Sequence, residues 1–336
     1  MNRAVLVTGA AGYLGTHVCT RLLAEGYCVR GLIRPEDSGR LALSDGVQFY
    51  RGSVASAEVV RLAAAGMDAV VNCASVMPDR SGRIPWEVYR ETNVEGGKVV
   101  LDAAAYLGIE RVILISTAGV LEVDPRDRTA NDESSLRKGH NHYLRSKIDF
   151  ERWLHSPEGP LYPNWIVMRP SSLLGPGVSF KWPQVAELTR AGKARIVGEG
   201  RALHPLVHVA DVADAIFKAL TCPIERIRRQ RITISSSQEI SVGDTLRILA
   251  EYYGRPMPQR IPYALVLMIA YALGFFPRTW LPERLRLLTP GALEEYAQDR
   301  RYDLSKAQEL LGFRAERALE EGLKETLSFL ESRGSN

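Results

Sequence analysis

Up to about residue 235 the chain alternates two kinds of pattern: short aliphatic and β-branched runs, and longer stretches whose apolar residues recur every three or four positions. The runs predict strands from Ala4 to Val7, Cys28 to Ile33, Val47 to Tyr50, Ala69 to Ala74, Arg111 to Ile115, Trp165 to Met168 and Arg231 to Ser235. Helical spacing is clearest from Tyr13 to Ala24, where Leu14, Val18, Leu22 and Leu23 share a side and Gly26 follows as a C′ residue. A long helix is predicted from Trp86 to Leu107, ahead of Gly108. A shorter one runs from Val212 to Leu220 with Asp211 as its N-cap. Strands alternating with helices predict an α/β fold: a doubly wound parallel sheet of the Rossmann type, followed by a smaller C-terminal lobe.

The first strand runs straight into Gly9, Gly12 and Gly15, and the first helix follows directly. In a strand, turn, helix unit each glycine has a physical task. Gly9 permits the tight turn, Gly12 lets backbone N–H groups approach a diphosphate, and Gly15 lets the helix pack closely on the strand. The candidate contacts to that diphosphate are Gly9, Gly12, Tyr13, Leu14 and Gly15.

Composition changes this picture little. With 336 residues and 46% hydrophobic content the chain has ample material for a core, as one large or two modest domains. The net charge of +4 comes from 43 basic and 39 acidic residues that are scattered, so no basic stripe points to nucleic acid. Cys19, Cys28, Cys73 and Cys222 form no C-x-x-C pair, and two of them fall on predicted core strands, which suits reduced thiols in a cytoplasmic protein. His140 and His142 have no carboxylate or cysteine partner at ligand spacing, so they read as loop residues and no metal is expected. Only Met1-Asn2-Arg3 precede the first strand, so no cleavable leader is expected.

The strongest chemical signal is Tyr143-Leu-Arg-Ser-Lys147. An i, i+4 pair on a helix shares one face, which brings an ammonium near a phenol. A free phenol titrates near ~10, so a neighbouring cation serves to draw it toward the working pH of a general acid. In chain order the glycine loop, Thr92-Asn93-Val94-Glu95-Gly96, Ile115-Ser116-Thr117 and Tyr143/Lys147 resemble the extended branch of the short-chain dehydrogenase/reductase superfamily. Arg169-Pro170 through Gly175-Pro176-Gly177, Val207-His208-Val209-Ala210-Asp211 and Arg301-Tyr302-Asp303-Leu304-Ser305-Lys306 extend that resemblance over essentially the whole chain.

The resemblance implies residues 1–170 as an NADP-binding domain and residues 171–336 as mainly a substrate-binding lobe, with segments near 206–234 returning to the first. It implies a catalytic set of Thr117, Tyr143 and Lys147, assisted by Asn93, which in related enzymes stabilises a local helical irregularity and links a proton relay to the lysine. Lys147 is also expected to hold the cofactor ribose, with Ala74, Ser75 and Pro170 lining the cofactor. Ser53 and Val54 fall at the adenine, Ser53 standing where the family usually has aspartate. At the end of the second strand, where an NAD site places a carboxylate, the chain has Ile33 and then Arg34, a cation suited to the 2′-phosphate of NADP(H).

Within that branch the chain looks most like the 3β-hydroxysteroid dehydrogenase-like group, which implies interconversion of a ketone and a secondary alcohol on a largely hydrophobic small molecule. A nucleotide-sugar 4-epimerase or 4-ketoreductase is the alternative. A non-catalytic NADP-sensing regulator is a third, disfavoured because the triad is intact. Two positions weigh against a nucleotide sugar: Ser172 and His204 stand where such enzymes commonly carry a diphosphate-contacting asparagine and a phosphate-pairing arginine, although Arg201 lies nearby. The uncharged run from Ile261 to Phe276, bracketed by Arg260 and Arg278, is too short for a membrane span. It reads as a buried helix of the small lobe, as an apolar wall over the substrate, or as a peripheral membrane contact. By analogy with the family the protein is expected to be a monomer or homodimer.

Overall fold

The computed structural model describes residues 3–40, 46–78, 83–178, 181–276, 280–282, 285 and 288–334. A seven-stranded sheet contains β1 (Ala4–Thr8), β2 (Cys28–Ile33), β3 (Val47–Arg51), β4 (Ala69–Asn72), β5 (Arg111–Ile115) and two later strands, Trp165–Pro170 and Arg231–Ile234. Its spatial order is β3, β2, β1, β4, β5, Trp165–Pro170, Arg231–Ile234, with every pair parallel. The chain winds outward from β1 in one direction, returns, and winds outward from β4 in the other. That reversal opens a crevice beyond the C-terminal ends of β1 and β4.

Alternation within each strand explains the two covered faces. Val5, Val7, Val71, Ile113 and Ile166 pack against helix α1 (Tyr13–Ala24) and the helix Val209–Thr221. Leu6, Val70, Val112, Leu114 and Val167 face the opposite layer, formed by helices that include Gly96–Leu107 and His142–Leu154. Because both faces are buried, successive strand positions must be apolar, which is why these strands read as unbroken hydrophobic runs.

Beyond residue 171 a third cluster forms the smaller lobe, centred on Leu174, Trp182, Leu206, Leu249, Leu323 and Leu327. Ser172–Leu174 pairs with Leu206–His208, and Arg195–Val197 pairs with Gln259–Ile261, both in parallel.

Several expectations are corrected. The predicted helix from Trp86 to Leu107 is not uniform: Trp86–Tyr89 and Gly96–Leu107 are α-helical, and between them Arg90–Glu95 forms a wider π-type turn. The helix expected to begin at Val212 starts at Val209, and its N-cap is His208, whose Nδ1 accepts from the Ala210 N–H at 3.2 Å. Asp211 is instead buried in the first turn, where it pairs with Arg317 at 2.6 Å. Cys28 is exposed at the start of β2 rather than in the core, and all four cysteines are free thiols. The apolar run is not a buried helix: in Tyr263–Leu273 only Val266 and Ala270 are buried. Arg278 lies outside the described residues.

Candidate functional site

Helix α1 opens on Gly12 as N-cap with no side chain capping it, so the first-turn N–H groups of Tyr13, Leu14 and Gly15 remain available at its positive end. Gly9 adopts φ 66, and a Cβ there would come within 2.8 Å of the Ala74 backbone. A Cβ on Gly15 would fall 2.2 Å from the Gly9 carbonyl oxygen. The loop therefore lies directly on the end of β4, and the helix directly on the loop. Gly12 meets only that same oxygen, at 3.0 Å, which leaves its outward side open. Thr8 Oγ1 fastens the crevice: it donates to Asn72 Oδ1 at 2.6 Å and accepts from the Ala74 N–H at 3.3 Å. An uncapped helix end behind glycines that tolerate no side chain fits a dinucleotide diphosphate.

The other cofactor candidates are placed less uniformly. Arg34 is at the exposed end of β2, but its Nε and Nη2 donate to Asp37 at 2.9 and 3.2 Å. Ser53 is exposed, and its Oγ accepts from the Ala55 N–H at 3.2 Å, closing its own turn. Val54 is buried, so close to Gly96 that a Cβ on the glycine would lie 2.6 Å from Val54 Cγ1. Pro170 ends its strand and is buried.

Tyr143 and Lys147 stand one turn apart on the helix His142–Leu154, which Asn141 caps by accepting from the Leu144 N–H at 2.8 Å. The Lys147 ammonium lies 6.0 Å from the centre of the Tyr143 ring and donates to the Ile115 carbonyl at 2.8 Å. Thr117 ends the segment after β5, and its hydroxyl lies beside the Tyr143 phenol while accepting from the Gly119 N–H at 3.2 Å. Ser116 faces the other way and donates to buried Glu151 Oε1 at 2.5 Å. Of the two hydroxyls, Thr117 is therefore the one at the phenol.

The expected downward pull of Lys147 on Tyr143 is not what governs the phenol. Burial pushes the Tyr143 phenol well up, with only the Thr117 hydrogen bond opposing it. Burial also draws Lys147 down to about 8, against the opposing fields of Cys73 and Glu151. Both groups are thus pushed toward their neutral forms, because burial disfavours charge whatever its sign.

Asn93 sits in the π-type turn, where the widened backbone carries its side chain across to two other segments. It accepts from the Val76 N–H at 2.7 Å and donates to the Val76 carbonyl at 3.1 Å. It also donates to Ser146 Oγ at 2.8 Å, and Ser146 in turn donates to the Tyr143 carbonyl at 2.7 Å. Ser75 Oγ joins the group, donating to Asn93 Oδ1 at 3.2 Å. Asn93 therefore reaches the residue beside Lys147 and not the lysine itself.

A buried ionic network beneath the site is absent from the sequence-based expectations. Arg169 donates to both Glu151 oxygens, Nη2 reaching Oε2 at 2.5 Å, and its Nη1 donates to the Asp132 carbonyl at 2.9 Å. Thr233 donates to Asp132 Oδ1 at 2.5 Å, and burial raises the Asp132 carboxyl above the usual range. The legible trace was Glu151 itself, four residues after Lys147 on one helix face.

On the lobe side, Lys181 Nζ donates to Ser172 Oγ at 3.3 Å. Lys181 and Arg300 both bear on His204, which stacks edge-on to Tyr296 at 5.2 Å and is drawn down to about 3, chiefly by burial. The nearby cations are thus Lys181 and Arg300, whereas Arg201 is exposed.

Residues 5–234 match the NAD dependent epimerase/dehydratase family. The chain is 26% identical over 332 residues to a 2-alkyl-3-oxoalkanoate reductase of Shewanella oneidensis, covering 95% of this chain and 84% of that protein. It is 26% identical over 361 residues to a 3β-hydroxysteroid-dehydrogenase/decarboxylase of Arabidopsis thaliana, covering 100% and 81%. Among solved structures, a UDP-glucose 4-epimerase of Thermotoga maritima bound to UDP-glucose superposes with a TM-score of 0.75 at 21% identity, over 98% of this chain and 99% of that one. With its glycine loop at the switch point and its Thr, Tyr and Lys side chains gathered beside it, the chain belongs to the NAD-dependent epimerase/dehydratase family of extended short-chain dehydrogenases/reductases, nicotinamide-dependent oxidoreductases.

Proposed function

We propose that the protein is an NADP(H)-dependent ketoreductase that interconverts a ketone and a secondary alcohol on a largely hydrophobic small molecule. The observation that carries this reading is buried Lys147 one helical turn from Tyr143, its ammonium 6.0 Å from the ring centre, with Thr117 beside the phenol. Residues 1–170 would hold the cofactor and residues 171–336 mainly the substrate, with the segment near 206–234 returning to the first unit. The first-turn amides of α1 would take the diphosphate, Lys147 the ribose, and Arg34 the 2′-phosphate once it exchanges Asp37 for that dianion. The free thiols suit a reducing, cytoplasmic setting.

The nicotinamide, when bound, supplies or accepts the hydride. In the reductive direction Tyr143, held protonated by its burial, gives its phenolic proton to the substrate oxygen as that oxygen gains charge. Thr117 accepts from Gly119 and keeps its own proton to donate to the same oxygen. The Lys147 ammonium, steadied on the Ile115 carbonyl, stabilises the phenolate left behind. Asn93 is a positioning residue: it ties the end of β4 to the helix that carries Tyr143.

The substrate class rests on the lobe. Ser172 and neutral His204 provide poorly for a diphosphate, which needs several charge-assisted bonds. Lys181 and Arg300 still offer positive charge there, which suits one carboxylate on an otherwise apolar molecule. The two relatives named above, a reductase of oxoalkanoates and a dehydrogenase/decarboxylase of steroids, fit such a substrate.

The test is NADPH oxidation with a hydrophobic β-keto acid, a neutral hydrophobic ketone and a 4-keto nucleotide sugar, for wild type and Tyr143→Phe. Turnover is expected with the keto acid and the ketone. Loss of the phenolic proton should lower kcat about 10²-fold or more while leaving NADPH binding intact. NADPH oxidation confined to the 4-keto nucleotide sugar would instead establish the nucleotide-sugar 4-ketoreductase alternative.

A further inference from the structure

The segment Tyr263–Leu273, Y-A-L-V-L-M-I-A-Y-A-L, forms a helix on the protein surface that contains no charged or amide side chain. A surface helix normally turns polar residues outward. Here Val266 and Ala270, one turn apart, face the body and pack with Leu293, while Leu265, Met268, Ile269 and Ala272 follow i, i+3, i+4, i+7 spacing along the outward face. Both faces are therefore apolar. On the helix Met268 is 63% exposed and Tyr271 59%, and past its end Phe275 is 89% exposed and Trp280 77%.

The charges carried by this segment have one sign. From Arg255 to Pro282 the sequence contains arginines 255, 260 and 278 and no aspartate or glutamate. Arg255 and Arg260, both exposed, precede the helix, and Arg260 meets Glu199 at 3.2 Å in a solvent-exposed pair that holds it only weakly. Two copies of the segment paired with each other would supply no acid from the segment itself to meet these arginines. An anionic lipid surface offers both kinds of contact at once: headgroup charge for the exposed arginines, whose present bonds to Glu199 and the Arg190 carbonyl are at the surface, and an acyl boundary for the exposed aliphatic and aromatic side chains. With 11 residues, the helix is too short to span the ~30 Å hydrocarbon core. It can lie in the interface but cannot cross.

We propose that this face docks the protein on the surface of a membrane containing anionic lipid. The docked element is connected to the candidate active site through one further helix. Helix Pro290–Ala297 packs on Tyr263–Leu273 through Leu293, and its Gly291 lies against His140, just before the helix that carries Tyr143. Docking places the site beside the bilayer, where an apolar ketone dissolves. Only that last step, delivery of substrate, rests on the proposed function; the docking itself does not.

The experiment is co-sedimentation of the full chain, without substrate, with vesicles of phosphatidylcholine alone and of phosphatidylcholine with about one third phosphatidylglycerol. Wild type should pellet with the anionic vesicles and several-fold less with the neutral ones. The double variant Met268→Ser/Phe275→Ser should lose about tenfold in vesicle affinity while melting at the wild-type temperature, because it replaces only exposed side chains. Leu161→Ser, at an equally exposed site outside the segment, should bind as wild type does. No sedimentation with either vesicle would overturn the proposal. So would a concentration-dependent dimer that the double variant abolishes, since that would give the face to a second copy. Turnover of a water-soluble ketone, measured on the same proteins without vesicles, reports separately on the enzymatic reading.

Discussion

At the scale of single residues, Lys147 makes the physics of the site measurable. Its ammonium is buried and drawn from 10.5 to about 8 by loss of water. Below pH 8 the folded protein carries a desolvated charge. Between about 8 and 10.5 the folded state has released that proton while the unfolded chain still holds it, so the Lys147 contribution raises stability as pH rises through this window. Lys147→Met deletes that contribution. The stability of the variant relative to wild type should therefore be greatest near pH 7 and fall by up to about 3 kcal/mol by pH 10.5, read from denaturant midpoints across the range. A difference that stays flat with pH would show that the lysine is not held as a desolvated cation. The same substitution should weaken both cofactor binding and turnover, because the ammonium faces the phenol and would face the ribose.

At the scale of elements, the Tyr143 helix is located by contacts on three sides. Asn93 holds its Ser146 from the π-type turn, Thr117 meets Tyr143 from the end of β5, and Glu151 anchors its far side to Arg169 on the strand Trp165–Pro170. The last tie is fully buried, and removing one member of such a pair leaves an uncompensated charge in the interior. Glu151→Gln should cost about 3–5 kcal/mol in chemical denaturation. The double variant Glu151→Met/Arg169→Met should recover a large part of the loss, since apolar residues of similar volume need no counter-charge. If the double variant is as damaged as the sum of the two single ones, the pair is not acting as one ionic unit. Because Ser116 also ends on Glu151, the single variant should loosen the Thr117 segment and lower kcat more than it raises KM.

For the whole molecule, the reversal of strand order between β1 and β4 gathers the glycine loop, Ala74, Thr117 and the Tyr143 helix at one end of the sheet. Cofactor bound there stabilises only the folded chain, by about 2.7 kcal/mol at a hundredfold excess over Kd, so melting temperature reports cofactor choice. At equal concentrations NADPH should raise the midpoint more than NADH. Arg34→Asp should narrow or reverse that gap, and Asp37→Asn, which removes the nearer of the two carboxylate charges beside the guanidinium and leaves Glu36 at 3.4 Å, should widen it. Equal shifts by both cofactors in wild type would leave Arg34 as a solvated arginine paired to its neighbour.

Much of this was legible in the amino-acid order because the cause is local. Parallel strands covered on both faces must be apolar at successive positions, so Val5-Leu6-Val7 and Val112-Ile113-Leu114 announce themselves. Gly9 and Gly15 stand where any Cβ would strike backbone, a demand that only glycine meets. Tyr143 and Lys147 need only helical spacing to share a face. What the tertiary structure decided involves partners far apart in sequence or environments that composition does not specify. Arg169 finds Glu151 and Asp132 through packing of a strand, a helix and a loop, and no spacing rule announces that contact. His208 displaces Asp211 as a helix cap because Arg317, more than a hundred residues away, claims the carboxylate. The uncharged run after Ile261 is equally compatible in composition with a core and with an interface. Which side of Tyr263–Leu273 meets protein is fixed only by how the lobe packs, and that packing leaves one apolar face outward.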